Sequence, residues 1–361
     1  MSLGIAGMGW VTPLGSGVSA VWERLLKGER ATAEPISSPI NPRTYPVFRV
    51  PADARAPAHP RLRRSSAISR FAATAGMSAL EDAGVKLDPE AAERTAIIFA
   101  ISNGGVVYTK RFYHDVVESG AQAASPLLFP ETVFNAPASH LAAMLGIAGA
   151  SYTLVGDGAV GILALKMAED LMENPAIDRC LIVAAEEADW LLCDAYSRWR
   201  LLRSKPPIEV FSDKPRGTIL SEGAGAVLLE RGATRIVLDF VDAGCNFRRQ
   251  SEAAECLNQI LARLAPADAD VIVGSANGTF IDAAERAAIA THCPTALLYA
   301  PKVSLGESVG ASSLWQVICA AMALQTGILP GVPNPTAAQR AIVSACGLNQ
   351  QVAALTLRLA N

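Results

Sequence analysis

A strand, a glycine-rich turn and a helix in direct succession constrain the fold of this chain more than any other stretch. The segment GASYTLVGDGAVGILALKMAEDLM runs from Gly149 to Met172 and predicts a strand at Ser151–Val155 followed by a helix. Unpaired backbone N–H groups and the positive end of the helix dipole meet at such a turn. Catalytic groups and anions therefore collect at turns of this kind.

One interpretation of the turn is dinucleotide binding. Gly156, Gly158 and Gly161 form a G-x-G-x-x-G that follows a predicted strand and opens a predicted helix. Glu186 ends the next apolar run at about the distance of a ribose contact. A nicotinamide-dependent oxidoreductase is therefore one alternative, although this fingerprint normally stands at the start of its domain and here a long patterned segment precedes it.

Predicted strands and helices alternate along the rest of the chain, which favours a layered α/β fold with sheets covered on both faces. The two halves repeat a similar β/α order. A Pro-rich stretch at 33–60 is predicted to be irregular surface. Further strands are predicted at 3–11, 95–100, 180–185, 226–230, 236–242, 271–275, 296–299 and 353–359, and helices at 18–26, 65–83, 106–119, 137–145, 252–264 and 312–324.

Composition excludes several classes of protein. With 361 residues and 51% apolar side chains, the chain can bury one large core or two fused similar halves. No apolar run reaches the length of a membrane span, and no basic leader precedes the first strand, so a cytoplasmic protein is expected. A net charge of −3 argues against nucleic-acid binding.

The seven cysteines lie far apart in the sequence and include no C-x-x-C pair. In a chain without a visible signal peptide, such cysteines are expected to be small buried hydrophobes and not disulfides or metal ligands. No metal-ligand spacing and no motif for another cofactor is present, so neither a metal nor a cofactor is predicted.

Four further motifs follow one another across nearly the whole chain. They are GMGWVTPLG from Gly7, the F-x-D-x-x-R-G set at Phe211 to Gly217 with SEGAGA at 221–226, GSANGTFIDAAERAAI from Gly274, and PKVSLGESVGA from Pro301. In this order they resemble the motifs of the β-ketoacyl-acyl carrier protein synthases. The resemblance implies a thiolase-like α/β fold, with two similar βα halves at 1–230 and 231–361 in a layered αβαβα arrangement.

The departures from that family concern its catalytic groups. The family uses a cysteine at a helix N-terminus as nucleophile, and two histidines that stabilise the enolate and the oxyanion. The matching positions of this chain hold Gly158, Asn277 and Glu307. Loss of a nucleophile costs on the order of 10⁶ in rate, and loss of one oxyanion donor about 10² to 10³. Condensation by this chain alone is therefore expected to be undetectable.

Lys302 matches the lysine of the family, and the acids that neighbour it there match Asp282 and Glu285. The resemblance therefore implies a retained structural ion pair between Lys302 and one of these two acids, because an orphaned buried charge is costly. Asp157 stands beside the vacant nucleophile position and is expected to cap a helix or to interact with its dipole.

Aromatic residues after Gly104-Gly105 form a second candidate site. The resemblance implies that this segment lies along the acyl tunnel at a dimer interface, where bulky side chains limit chain length. The candidate gate consists of Tyr108, Phe112, Tyr113 and Phe134. The alternative is that these residues only fill a core.

The resemblance thus predicts a noncatalytic subunit of chain-length-factor type. Its expected partners are a cysteine-bearing ketosynthase, paired through the strand at Ser151–Val155, and an acyl carrier protein. The apolar run at 125–135 is closest to the subunit of bacterial aryl polyene systems. Plausible contacts for an acidic carrier are Arg198, Arg200, Arg203 and Lys205.

The C-terminal loop also departs from the family's sequence. The loop CGLNQQ from Cys346 replaces the family's G-F-G-G-T-N, whose phenylalanine gates the active site. An enzyme with altered chemistry remains an alternative, since Asp157 or Glu307 could process thioesters by hydrolysis or decarboxylation.

Overall fold

The computed structural model describes residues 3–54, 59–232, 234–264, 269–333 and 337–360. The strands are β1 (Leu3–Thr12), β2 (Gly15–Ser16), β3 (Ala33–Ser37), β4 (Thr44–Phe48), β5 (Thr95–Ile101), β6 (Ser151–Val155), β7 (Arg179–Glu186), β8 (Leu220–Ser221), β9 (Gly223–Arg231), β10 (Ile236–Asn246), β11 (Val271–Val273), β12 (Leu297–Tyr299), β13 (Arg340–Cys346) and β14 (Gln351–Leu359). The helices are α1 (Val18–Leu26), α2 (Ala67–Asp82), α3 (Pro89–Glu93), α4 (Val106–Ser119), α5 (Ala136–Leu145), α6 (Val160–Leu171), α7 (Trp190–Arg198), α8 (Ala253–Arg263), α9 (Phe280–His292), α10 (Lys302–Leu305) and α11 (Ser312–Thr326).

The two halves build five-stranded sheets of the same order. The first half runs β6-β5-β7-β9-β1 and the second β12-β11-β13-β14-β10. In each, the first three strands are parallel and the last two are antiparallel additions. A short antiparallel pairing between β1 and β10 joins the two sheets. The predicted repeat of β/α order is therefore present in the strand topology, while the division at residue 230 stays a prediction.

Helices form the other three layers. α6 and α11 pack in one core together with strands of both halves, so they form the central layer. α2 and α5 cover the outer face of the first sheet, and α8 and α9 cover the outer face of the second. The layered αβαβα arrangement expected from the resemblance is confirmed.

Burial explains why these segments take these forms. Every residue of β5 is buried, as expected for a strand covered by helices on both faces. Every residue from 312 to 324 in α11 is buried, which is the pattern of a helix enclosed by other layers. No helix within the described residues is both long and apolar enough to cross a bilayer.

The prediction of an irregular surface at 33–60 was wrong. β3 and β4 pair with β8 in a separate three-stranded sheet, and Tyr45, Val47 and Phe48 are buried. Prolines interrupt the alternation that normally reveals short strands. The sequence analysis also did not predict α7 or β13.

The prediction that all cysteines are free was also wrong. Cys245 at the end of β10 and Cys256 in α8 form a disulfide, with Cα atoms 6.1 Å apart. Their separation of 11 residues across a strand and a helix matches no recognisable motif. The other five are free and buried, as predicted: Cys180, Cys193, Cys293, Cys319 and Cys346.

Candidate functional site

The loop after β11 is held in place by two carboxyl groups of α9. Asp282 Oδ1 accepts hydrogen bonds from the backbone N–H groups of Asn277 and Gly278, at 2.8 and 3.0 Å. Glu285 Oε1 accepts one from Ser275 N at 2.8 Å. Burial raises the pKa of Glu285 to about 6, although backbone N–H groups and Lys302 favour its charged form.

Asn277 and Glu307, which lie 30 positions apart in the sequence, are brought together by the fold. Asn277 Nδ2 donates to Glu307 Oε2 at 2.7 Å, and Lys302 Nζ donates to the same oxygen at 2.7 Å. Thr279 Oγ1 donates to Asn277 Oδ1 at 2.6 Å. Asn277, Lys302 and Glu307 are all buried. The two side chains expected at the histidine positions of the family, Asn277 and Glu307, are thus bonded to each other.

The prediction that Lys302 pairs with Asp282 or Glu285 was wrong. Lys302 pairs with Glu307 and not with Asp282 or Glu285, whose oxygens accept from backbone N–H groups of the loop. The reason is local: residue 307 follows Lys302 by five positions, and a carboxylate there reaches the ammonium directly.

The Gly158 turn is covered by the chain's C-terminal loop. A Cβ atom placed on Gly158 would lie 3.0 Å from the Cα of Gly347, which is closer than ordinary van der Waals contact. Asp157 Oδ2 accepts from Asn349 N at 2.8 Å and from Gln350 N at 2.9 Å. These bonds fasten the loop over the turn.

The expected role of Asp157 therefore needs correction. Its carboxylate makes no capping bond to α6, whose N-cap residue is Ala159. It binds residues more than 190 positions away in the sequence, which is why local rules pointed to a cap. The C-terminal loop was noted as a departure from the family, but its contact with the turn was not foreseen.

Cys346 lies beside the turn but is not a substitute nucleophile. Its carbonyl oxygen would lie 3.5 Å from a Cβ on Gly158, and its N–H donates to Ser275 Oγ at 2.7 Å. Burial, with the charge of Glu285, raises the pKa of the Cys346 thiol well above its ordinary value. A reactive cysteine needs the opposite shift.

Tyr196 of α7 was missed by the sequence analysis. It is buried, and burial followed by the negative charges of Asp157, Glu186 and Glu307 raises its pKa. Three acidic side chains, Asp157, Glu186 and Glu307, therefore lie close to Tyr196. Only the strand–helix topology brings Tyr196 here, so no sequence signal was available.

The structure leaves no space for a dinucleotide at the glycine turn of residues 156–161. Gly161 N donates to Ser313 Oγ of α11 at 3.1 Å, so α11 packs directly on the start of α6. Gly158 is covered by Gly347. Glu186, the candidate ribose ligand, is buried and accepts from the backbone N–H groups of the segment after β5.

The four candidate gate residues do not converge. Tyr108 lines two neighbouring cavities of about 420 and 480 Å³. The Phe112 ring packs on Phe129 at 5.8 Å, Tyr113 is 64% exposed, and Phe134 lies against Gly104. Neither cavity is lined by Gly158, Asn277 or Glu307. Phe112 follows Tyr108 by four residues and lies on the same side of α4, yet it lines neither cavity.

Exposed apolar side chains lie on the edge strand of the first sheet and on α4 with the segment after it. β6 is the last strand of that sheet, and Tyr152 and Val155 on it are 44% and 53% exposed. α4 contains no buried residue. Exposed apolar side chains on α4 and in the segment after it are Tyr113, Val117, Leu127, Phe129, Val133 and Phe134.

The proposed carrier contacts divide into two kinds. Arg203 is buried and its Nε donates to the carbonyl of Lys205 at 2.7 Å, so its guanidinium is not available to a carrier. Arg198 is exposed but pairs with Asp194. Arg200 and Lys205 are exposed.

Comparison with known proteins identifies related sequences. The family model "Beta-ketoacyl synthase, N-terminal domain" matches residues 2–235, and "Beta-ketoacyl synthase, C-terminal domain" matches residues 239–336. Nodulation protein E of Rhizobium sp. (strain N33) is 26% identical over 360 residues, covering 91% of this chain and 88% of that protein. The 3-oxoacyl-[acyl-carrier-protein] synthase 2 of Coxiella burnetii is 24% identical over 367 residues, covering 91% and 87%.

Solved structures share the fold. The ishigamide ketosynthase/chain length factor superposes with a TM-score of 0.84 at 20% identity, covering 100% of this chain and 99% of that one. The ketosynthase ApeO in complex with its chain length factor ApeC, from Xenorhabdus doucetiae, gives 0.83 at 18% identity, covering 99% and 98%.

Proposed function

This chain belongs to the beta-ketoacyl synthase family, and from that premise we propose that it is a noncatalytic subunit of chain-length-factor type. It pairs with a cysteine-bearing ketosynthase as a heterodimer. The pair elongates an acyl chain on an acyl carrier protein, and this subunit limits how long the chain grows.

The observation that carries the proposal is the buried contact among Asn277, Lys302 and Glu307. Decarboxylative condensation needs hydrogen-bond donors aimed at a developing negative charge. Here the Asn277 and Lys302 donors both bond to the carboxylate of Glu307. That carboxylate also repels an enolate, so the position that should stabilise the transition state destabilises it.

The vacant nucleophile position supports the same conclusion. Gly158 carries no side chain, and Gly347 fills the space that a Cβ would need. Since the nucleophile alone is worth on the order of 10⁶ in rate, no arrangement of the remaining groups compensates for its loss.

The open edge of β6 supports a partner. An unpaired edge strand with exposed apolar side chains invites pairing with another chain. The similar structures named above include a ketosynthase solved with its chain length factor. We place the partner ketosynthase on β6 and α4, the carrier contacts on Arg198, Arg200 and Lys205, and the complex in the cytoplasm of a bacterium with an aryl polyene pathway.

Co-expression with a cysteine-bearing ketosynthase encoded by a neighbouring gene tests the proposal. We expect a 1:1 complex by size-exclusion chromatography with light scattering. Products sized by mass spectrometry lengthen when Tyr108, Phe112 or Tyr113 is replaced by alanine, since volume is removed near the tunnel. The matched control is Phe240→Ala, which removes an exposed ring from β10. Absence of a complex contradicts the pairing, and unchanged product lengths in all three variants contradict the gate.

A thioester-processing enzyme is the second candidate, and one observation favours it. Glu307 Oε1 is buried and has no hydrogen-bond partner in the described part of the chain, so it is the oxygen that could act as a base. Asp157 is less suited, because its Oδ2 is held by two backbone N–H groups. Hydrolysis of acyl thioesters by the purified chain, lost in Glu307→Gln while circular dichroism shows that variant still folded, would establish this alternative.

A further inference from the structure

The two cavities beside Tyr108 form one charged cleft, called here the Tyr108 cleft. They share Arg70, Tyr108 and Arg111 in their linings. Together the linings contain six cationic side chains and three carboxyl groups. A cavity intended only for an apolar chain would be lined by apolar side chains, so this composition needs another explanation.

Four of the arginines have no carboxylate partner within the residues that the structure describes. They are Arg63, Arg64, Arg70 and Arg111. Arg70 on α2 is half-buried, whereas Arg63, Arg64 and Arg111 are exposed. Its Nη2 donates to the Ser65 carbonyl at 2.9 Å. Arg70 and Arg111 line both cavities, so their two guanidinium groups face the same space.

Most other charges of the cleft are paired with each other. Glu222 pairs with Arg49 at 3.0 Å. Lys110 pairs with Asp189 at 2.9 Å and lies over the Trp190 ring. Glu187 lines the same cavity as Arg70: burial, with the charges of Glu222 and Asp189, raises its pKa to about 7, although Arg49 and Arg70 favour its charged form. Asp115 is the one carboxylate in the lining of the second cavity, the one of about 480 Å³.

We propose that the Tyr108 cleft binds a small molecule through a carboxylate or phosphate group held by Arg70 and Arg111. The planar guanidinium matches both oxyanions and binds them through paired hydrogen bonds. Cavities of about 420 and 480 Å³ suit a small organic anion. The site goes beyond the proposed function and does not require it.

The depth of Arg70 favours a small molecule over a protein surface. Arg63 and Arg64 are exposed at the rim and are accessible to any acidic partner. The Arg70 side chain is half-buried and lines both cavities, so a ligand has to enter the cleft to meet its guanidinium. Two sources share the required chemistry: the carboxylate end of an acyl chain, and a free phosphate-bearing molecule.

Calorimetric titration of the full chain tests the site, with pyrophosphate and decanedioate as probes and dimethyl decanedioate as the uncharged control. We expect saturable binding of at least one anion and none of the diester. Arg70→Gln and Arg111→Gln each weaken that binding by about tenfold or more, since each removes a charge-assisted hydrogen bond. Arg30→Gln is the matched control, as it neutralises an exposed arginine outside the cleft. Stronger binding of decanedioate indicates an acyl-chain end, and stronger binding of pyrophosphate indicates a phosphate ligand.

Three results would overturn the inference: no saturation by either anion up to about 10 mM, equal binding of the diester, or equal losses in Arg30→Gln. Displacement of the anion by an acidic carrier protein with the same variant dependence would also overturn it, in favour of a docking surface. If Arg70→Gln unfolds the chain, the exposed Arg64→Gln with Arg111→Gln serves instead. Product lengths in the ketosynthase pair are measured separately, so a failed titration does not decide the proposed function.

Discussion

Single residues set the chemistry of the candidate site, and Glu307 has the largest effect. It forms a buried ion pair with Lys302 at 2.7 Å, with both side chains 2% exposed. A buried pair adds little net stability, but breaking it from one side leaves an uncompensated charge. The pair therefore holds both side chains in place, and its two charges offset each other.

The first prediction concerns this pair. Glu307→Gln is expected to lower the free energy of unfolding by about 3–5 kcal/mol, because Lys302 is left charged and buried. The double variant Lys302→Met with Glu307→Gln recovers most of the loss. Urea denaturation followed by circular dichroism measures both. Glu29→Gln, which breaks the exposed pair with Arg24, is the control and costs under about 1 kcal/mol. A single variant as stable as the parent contradicts the interpretation.

The second prediction concerns pH. Burial raises the folded-state pKa of Glu186 from 4.5 to about 7, despite the N–H groups of Ser102 and Asn103. Its contribution to stability is therefore complete below pH 4.5 and is lost as the pH rises through 7. Glu186→Gln keeps an acceptor but cannot ionise, so stability above pH 7 should rise relative to the parent by on the order of 1–3 kcal/mol. Urea midpoints between pH 5 and 8 measure the difference.

Glu131 provides a control of opposite sign. Burial opposes its ionisation, but His140 and the Ser66 N–H group lower its pKa overall. Its stabilising effect is present above pH 4.5 and is lost as the pH falls through the lowered pKa. Glu131→Gln should therefore lose stability at neutral pH. The same pH profile in both variants would contradict the assignment to Glu186.

The sequence assigns Gly158, Asn277 and Glu307 to the catalytic positions of the family by the order of linked motifs, and that assignment stays a prediction. It did not indicate what those residues contact. Asp157 binds a loop 192 positions away, and that contact exists only once the two halves have packed. Local rules describe neighbours along the chain, so such a contact lies beyond them.

At the scale of elements, α4 shows that helical spacing does not decide which side chains share a cavity. Tyr108, Arg111 and Asp115 are spaced as i, i+3 and i+7 and line the same cavity of about 480 Å³. Phe112, at i+4, lies on the same side of the helix but packs on Phe129 and Tyr113. The segment packed against the helix decides what each side chain contacts, and the sequence pattern does not show that segment. β4 was missed for a comparable reason, since its partner β8 lies more than 170 residues further along the chain.

The third prediction concerns the edge of β6. Val155 is 53% exposed, so Val155→Lys should leave the subunit folded, whereas a buried ammonium at a chain–chain interface is costly. We expect affinity for the ketosynthase to fall by at least about tenfold. Light scattering of the co-expressed pair measures this. Ile40→Lys, at a 67% exposed apolar position on the loop after β3, is the control and should leave the complex intact. Equal pairing by both variants would exclude β6 from the interface.

At the scale of the whole molecule, the two sheets share one central layer. α6 and α11 pack with strands of both halves in one continuous core. The fold class was predictable because alternating elements and family motifs extend along nearly the whole chain. The enclosure of α11 by both halves follows only from the assembled topology. We therefore infer that neither half folds without the other.

The fourth prediction tests this dependence by expressing residues 1–230 and 231–361 separately. The first fragment would expose the apolar face of α6, including Val160, Ile162 and Leu165, and the second would expose all of α11. Exposed surfaces of that size cause aggregation, so neither fragment should give a cooperative thermal transition alone. Co-expression should recover a soluble complex, and the intact chain should unfold in one calorimetric transition whose enthalpy equals the van't Hoff value. A monomeric fragment with a sharp transition of its own would contradict this dependence, because it would show that this half folds as an independent domain.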